Sequence, residues 1–178
     1  MQIKTDRLII RPFKAEDLES FEKLLTIPEL PGWQKQQDHS REFLNWHISN
    51  YNQMDILCGA VCFGIFNNEN TQIFGAVGAG NHDDLSETEI FYQLLPSARG
   101  LGYATESAQA FTKWALEYFN LRYIIGTVGE ENLASQKVLE KCGYIFIEEK
   151  TLLVHITSQE HLFKYYRRYN DRLQKGSA

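Results

Sequence analysis

Residue types that could do chemistry, at spacings that would let them, are concentrated between Leu94 and Glu106, in Leu94-Leu95-Pro96-Ser97-Ala98-Arg99-Gly100-Leu101-Gly102-Tyr103-Ala104-Thr105-Glu106. An apolar strand runs into a turn with two glycines, and the turn opens directly into an amphipathic helix. Gly100 and Gly102 let the backbone approach a ligand closely and adopt conformations that a side chain resists. The unpaired N–H groups of the first helical turn then face outward at the positive end of the helix dipole, an arrangement suited to a phosphate or pyrophosphate. A Walker loop ends in Gly-Lys-Ser/Thr, where this chain has Gly102-Tyr103-Ala104, and a dinucleotide fingerprint needs a third glycine where Thr105 stands. A plain strand-to-helix turn would show the same two glycines.

The elements that must position this turn follow from periodicity. A strand is predicted from Arg7 to Phe13, then a helix from Ala15 to Thr26 with Leu18, Phe21, Leu24 and Leu25 on one face. Pro28 to Asp38 reads as a loop from its Pro and Gly breakers, and Ser40 to Tyr51 as a second helix. Cys58–Phe66 and Thr71–Gly80 form strands joined by Asn67-Asn68-Glu69-Asn70, and Thr88–Leu95 a third strand halted at Pro96. After the glycine turn come a helix to Phe119, a strand over Arg122–Val128, a helix over Asn132–Cys142 ended by Gly143, and a strand over Tyr144–Glu149. One or two further strands are expected around Leu152–Ile156 and His161–Arg168. The order implies an α/β fold: one mixed, mainly antiparallel sheet of about seven strands with about four helices on its faces. One domain over residues 1–170 with a disordered tail over 171–178 is expected.

Bulk properties narrow the function. The 178 residues carry a net charge of −5, which argues against nucleic acid as the main partner. Three cysteines, Cys58, Cys62 and Cys142, cannot all pair, and Cys58 and Cys62 lie in an apolar run as buried thiols would. No set of four convergent ligands suggests zinc, so no metal is expected. The N-terminus lacks the apolar core of a signal peptide, and no apolar run reaches the ~20 residues that span a bilayer. A cytoplasmic protein without membrane partners, monomeric or homodimeric, is expected.

Arg99-Gly100-Leu101-Gly102-Tyr103-Ala104 resembles the acyl-CoA pyrophosphate loop of the GNAT superfamily of N-acetyltransferases, whose pattern is Q/R-x-x-G-x-G/A. Asn132-Leu133-Ala134-Ser135 with Val138-Leu139-Glu140-Lys141-Cys142-Gly143-Tyr144 resembles that superfamily's second motif, N-x-x-S-x-x-x-L-x-x-x-G-F/Y. Thr5-Asp6-Arg7-Leu8-Ile9-Ile10-Arg11-Pro12 and Glu89-Ile90-Phe91-Tyr92 resemble the branch that acetylates ribosomal-protein N-termini. Two departures stand out. Ser97 occupies the first loop position, and Leu139 stands where many relatives carry the tyrosine that protonates the leaving thiolate.

The resemblance implies transfer of an acetyl group from acetyl-CoA to a primary amine, in this branch a protein N-terminal α-amine. Alternatives are a small amine such as a polyamine, amino sugar or antibiotic, or a catalytically silent acyl-CoA-binding module. It further implies that main-chain groups of Gln93, Leu94 and Leu95 hold the pantetheine arm, the amides of Arg99, Gly100, Leu101, Gly102, Tyr103 and Ala104 the phosphates, and Asn132 the pantetheine. Ser135 would be the acid. Asn132 also reads as a helix N-cap, matched by Gly143 as terminator. Glu89 is the expected base, with His82, Asp83 and Glu87 as neighbours that could replace it. Trp33, in the Pro31-Gly32-Trp33 loop, and Trp46 are candidates for the acceptor side. The basic run Lys164, Arg167, Arg168, Arg172 and Lys175 reads as a solvated edge strand.

Overall fold

In a computed structural model of the chain, residues 1–28, 31–57, 59–155 and 157–174 are described. Cys58, Ile156 and the end Lys175 to Ala178 lie outside them. The N-terminal strand β2 (Leu8–Pro12) is buried along its whole length and pairs with a two-residue strand, β1 (Ile3–Lys4), too short to leave a periodic trace in the sequence. A 3-10 turn over Ala15–Asp17 leads into α1 (Leu18–Leu25). The segment expected to be a loop contains a short helix, α2 (Pro31–Gln34), and a second 3-10 turn, Gln37–His39. Its breakers misled because proline is well suited to the first position of a helix, where no N–H partner is needed. Next come α3 (Ser40–Gln53), β3 (Ala60–Asn67), β4 (Ile73–Asn81) and β5 (Thr88–Leu94). The Asn67 carboxamide accepts from the N–H groups of Thr71 and Gln72 and so builds the hairpin turn between β3 and β4.

A 3-10 turn (Pro96–Ala98) and the two glycines connect β5 to α4 (Tyr103–Tyr118). Then follow β6 (Tyr123–Gly129), α5 (Leu133–Lys141), β7 (Ile145–Val154), β8 (Gln159–Tyr169) and a four-residue helix, α6 (Asp171–Gln174), at the start of the segment expected to be disordered. The eight strands form one sheet in the order β1-β2-β3-β4-β5-β6-β8-β7. All pairs are antiparallel except β5 with β6.

Two expectations for the C-terminal part are corrected. The strands expected over Tyr144–Glu149 and Leu152–Ile156 are one long strand, β7. Its first five residues are all exposed and only Leu152 is buried, so its sequence shows no clean alternation, and the charged run Glu148-Glu149-Lys150 divides it only in appearance. The basic run lies largely on β8, which is interior, between β6 and β7, with Tyr165 and Tyr166 fully buried. Its cations are spent on partners: Lys164 on Gln136, Arg167 on Glu87, Arg168 on Asp171 and Arg172 on Glu117.

Each face of the sheet carries its own core. Under α4 and α5 lie Ile90, Leu94, Phe111, Ala115, Ile124, Leu139 and Tyr166. Under α1 and α3 lie Phe13, Phe21, Leu24, Leu44, Cys62 and Ala76. Alternation along β5 therefore sends Ile90, Tyr92 and Leu94 toward α4 and α5, and Glu89, Phe91 and Gln93 toward the opposite face. Among the described residues no helix is long and apolar enough to cross a membrane.

Candidate active site

β5 and β6 run parallel but meet in register at a single pair, Glu89 with Ile125, and diverge beyond it. The gap is a cleft of about 310 Å³ whose walls include Glu89, Tyr92, Thr127, Asn132, Ser135 and Leu139. A side chain at Gly126 would meet Leu139 Cδ1 at 2.8 Å, so glycine there lets α5 close down on the mouth of the gap. Leu95 N–H donates to the Phe74 carbonyl at 2.8 Å, which points the main-chain groups of Leu95 toward β4. Because these directions alternate along a strand, the main-chain groups of Tyr92 and Leu94 face the cleft. The Leu94 carbonyl accepts from Arg99 Nε at 3.2 Å. Of the three residues expected to line the arm, Leu94 therefore presents its N–H to the gap, whereas Gln93 and Leu95 turn theirs to β4. Tyr92 takes the place the sequence reading gave to its neighbours.

At the far end of β5 the glycine turn has the geometry that anion binding requires. Gly100 and Gly102 have φ of 77° and 82°, the left-handed region that L side chains rarely adopt. Gly102 is the N-cap of α4 and offers no capping side chain, so the N–H groups of the first turn are left for a ligand. Asn132 caps α5, its carboxamide oxygen accepting from Ser135 N–H at 3.1 Å. Tyr92 Oη donates to the Ser135 carbonyl at 3.2 Å and ties β5 to α5 across the gap, and burial pushes its phenol up to about 12.

Glu89 stands at the point of divergence. One carboxylate oxygen accepts from both the N–H and the hydroxyl of Thr127, at 2.7 and 2.5 Å. The other lies 4.0 Å from His82 Nε2. Burial lifts the Glu89 carboxyl above the usual carboxylate range, and the Thr127 hydrogen bonds and His82 offset this only in part. Its side chain keeps 24% of its surface open, so a raised carboxyl remains within reach of the cleft. The neighbours weighed as bases divide. Glu87 is caged by Tyr123 Oη (2.7 Å), Tyr165 Oη (2.8 and 2.9 Å) and Arg167 (3.3 Å), three donors that engage its carboxylate away from the cleft. Asp83 is exposed. His82 accepts from Asp84 N–H at its Nδ1 (3.2 Å) and faces Glu89 with its other nitrogen.

Trp33 is half-buried in a nest of rings, with centroids 5.7 Å from Phe21, 5.3 Å from Phe43 and 5.3 Å from His47. Trp46 stacks on Phe43 and is 48% exposed, the more open of the two tryptophans considered for the acceptor side. The structure thus brings Glu89, Asn132 and Ser135 to one cleft and packs Trp33 against the core of the opposite face. Thr127 and Tyr92 were missed, since their roles rest on contacts 38 and 43 residues away in sequence that no local pattern signals. Among the described residues no group of three or more His, Cys, Asp or Glu could hold a metal ion.

The acetyltransferase (GNAT) domain family matches residues 7–145 of this chain. The uncharacterized N-acetyltransferase YnaD of Bacillus subtilis (strain 168) is 25% identical over 155 residues, 80% of this chain and 82% of that protein. A second from the same organism, YjdG, is 37% identical over 82 residues, 46% of this chain and 49% of that protein, so the match spans about half of YjdG. Among solved structures, the ribosomal L7/L12 alpha-N-protein acetyltransferase RimL in complex with coenzyme A superposes with a TM-score of 0.77 at 17% identity, covering 96% of this chain and 99% of that one. That likeness shows the fold.

Proposed function

Because the chain belongs to the acetyltransferase (GNAT) family, we propose that it acetylates a protein N-terminal α-amine, with Glu89 as base and Ser135 as acid. The residues fit the acyl donor. The glycine turn leaves amides from Gly100 to Ala104 for a pyrophosphate, the Arg99 N–H expected among them being spent on the Pro96 carbonyl at 3.3 Å, and the diverging strand leaves main-chain groups of Tyr92 and Leu94 for an extended pantetheine arm, as in β-strand addition. Acetyl-CoA supplies an acetyl group activated as a thioester.

An ammonium cannot attack that thioester until a proton leaves it. The reference pKa is about 7.7–8.0 for an α-amine and about 10.4 for a lysine-like amine. Glu89 takes this proton on the oxygen that Thr127 does not occupy. Its raised pKa makes it a stronger base than an ordinary carboxylate, which is enough for an α-amine and poorly matched to a lysine-like one. Ser135, across the cleft, gives a proton to the sulfur, the role left open by Leu139. The observation that carries this reading is the cleft itself, a gap through the sheet with a carboxylate toward one face and a serine on the helix of the other. The shared fold with RimL, named as an alpha-N-protein acetyltransferase, supports the choice of acceptor.

Thiol release from acetyl-CoA, measured across N-terminal peptides and small amines, tests it. Turnover is expected with free α-amine peptides and not with the same peptides blocked at the N-terminus. Release with polyamines or amino sugars alone would replace the acceptor and keep the enzyme. CoA binding without release toward any amine would leave an acyl-CoA-binding module.

A further inference from the structure

The amide that must face the phosphates is aimed by a residue outside both sequence motifs. Arg7, just before β2, reaches across the chain to the glycine turn. Its NH1 donates to the Leu101 carbonyl at 2.8 Å. Its Nε and NH2 grip one oxygen of Glu106 at 2.7 and 2.6 Å. The other Glu106 oxygen accepts from Arg7 N–H at 3.0 Å and from Thr5 Oγ1 at 2.6 Å. The guanidinium also lies over the Tyr103 ring, 4.7 Å from its centroid. Burial would raise the Glu106 carboxyl, but the bonds from Thr5 and Arg7 outweigh it and hold the carboxyl below its usual range.

A trans peptide is planar, so its C=O and N–H point in opposite directions. Holding the Leu101 carbonyl on Arg7 therefore turns the Gly102 N–H to the other side, away from Arg7. The φ of 82° favours glycine at position 102, and a Cβ there would press on Arg7 NH2 at 3.3 Å, so a side chain would also disturb the guanidinium. Glu106, one turn into α4, would on its own set a negative charge beside an anion site, and Arg7 cancels that charge. We propose that Arg7 is a positioning residue for the acyl donor: by fixing the Leu101–Gly102 peptide it aims the Gly102 N–H at the pyrophosphate. This rests on the reading of the turn as the CoA pyrophosphate site.

Arg7→Met and Arg7→Lys, compared with wild type, separate the possibilities. CoA affinity is measured by calorimetry, and S-acetylpantetheine, which has the thioester arm but no pyrophosphate, serves as acyl donor in parallel. Loss of one charge-assisted hydrogen bond predicts CoA binding weaker by about 10- to 100-fold in Arg7→Met. Arg7→Lys keeps the charge but cannot hold Leu101 and Glu106 together, so it is expected to recover only part of the loss and to serve should Arg7→Met fail to fold. kcat/KM for S-acetylpantetheine should stay within about twofold, because the affected interaction is absent there. Unchanged CoA affinity in both variants overturns the proposal. So does full recovery in Arg7→Lys, which would make the effect one of charge alone, or equal loss with both donors, which would make it one of folding. A wild-type protein that does not bind CoA overturns instead the reading of the turn on which the proposal rests.

Discussion

The face of the sheet under α4 and α5 and the face under α1, α2 and α3 differ in how completely they pair their buried polar groups. On the first, Thr112 pairs with Tyr144 at 2.9 Å, the Asn170 amide donates to the carbonyls of Leu116 and Leu121, and Gln136 donates to Gly129 and Glu130. On the second, Arg11 and Asp17 form a buried bidentate pair at 2.7 and 2.8 Å, but both ring nitrogens of His47 and the amide nitrogens of Asn50 and Gln93 are buried with no partner. The first face offers its ligand main-chain amides, whose geometry is set by glycine positions and helix ends. The second offers side chains, and holds polar groups in a state that costs stability. On the proposed reading, the cofactor side is the one where Thr112, Asn170 and Gln136 are all paired, while the side proposed for the acceptor carries unsatisfied groups.

The largest expected effect lies where the two faces meet. Glu89→Gln keeps size and hydrogen bonding but cannot take up a proton, so kcat/KM at neutral pH should fall by about 10²–10⁴-fold. Thr127 N–H and hydroxyl still find an acceptor in the amide oxygen, so CoA affinity should hold. At high pH the amine deprotonates itself and the deficit should shrink, for an α-amine about two units lower than for a lysine-like amine. In the wild type, the raised Glu89 carboxyl moves the acidic limb of the rate profile upward in pH, since the base must be ionised to act. A deficit constant up to pH 10 with an α-amine peptide would make Glu89 a structural clamp on Thr127.

His47 gives the next effect and tests the unsatisfied face directly. Burial lowers its pKa to about 4. Unfolded, it titrates near the ordinary value of about 6.5. Between these values the unfolded chain binds a proton that the folded chain refuses, so stability falls as pH drops from 6.5 to 4 and levels off below. The full span corresponds to about 3 kcal/mol. Other groups titrate in the same window, so the readout is a difference: urea midpoints of wild type and His47→Leu at pH 7 and pH 4.5. The variant should lose markedly less stability. Equal losses would mean that His47 is protonated in the fold, and the contrast between the faces would weaken.

Ser135→Ala comes third. If Ser135 supplies the proton to the departing sulfur, turnover should fall by about 10²-fold, the low end for a positioned acid, with little change in CoA affinity. Its effect should be independent of the acceptor used, whereas that of Glu89→Gln should track the acceptor's pKa. Unchanged turnover in a chemistry-limited assay would leave Ser135 as a hydroxyl on α5 and turn attention to Tyr92, whose Oη reaches the same residue's carbonyl.

The sequence was legible where a local rule has few solutions. Gly100 and Gly102 announced left-handed backbone, Asn132 and Gly143 announced the ends of α5, and long periodic helices such as α4 fell close to their expected limits. It was not legible where structure depends on distant partners or on very short elements. Nothing near Glu89 announces Thr127, and nothing near Arg7 announces Glu106, 99 residues on. Strand β1 and helix α2 are too short for any periodicity. Trp33 looked available because a loop was expected, and the formation of α2 turned it into the ring cluster of Phe21, Phe43 and His47. The side proposed for the acceptor includes such segments, so its chemistry leaves less trace in the sequence than that of the glycine turn.

The smallest expected effect asks whether a residue can serve the fold and the cofactor side at once. Asn132 is exposed, and its carboxamide oxygen caps α5 through Ser135 N–H. Its amide nitrogen is then available to bond a carbonyl of the pantetheine arm. Asn132→Asp preserves the acceptor and adds a negative charge at a helix N-terminus, so the stability of the fold should be unchanged or slightly higher. The same change removes the donor, so CoA binding should weaken by about tenfold, the worth of a single hydrogen bond. Asn132→Ala removes both functions and should cost about 1 kcal/mol of stability besides the same loss in binding. Urea midpoints and calorimetry on the two variants separate the roles. If Asn132→Asp binds CoA as tightly as wild type while Asn132→Ala loses stability alone, Asn132 is a helix cap and nothing more. The proposed cofactor side would then rest on main-chain groups only, and its contrast with the side-chain chemistry of the other face would be sharper.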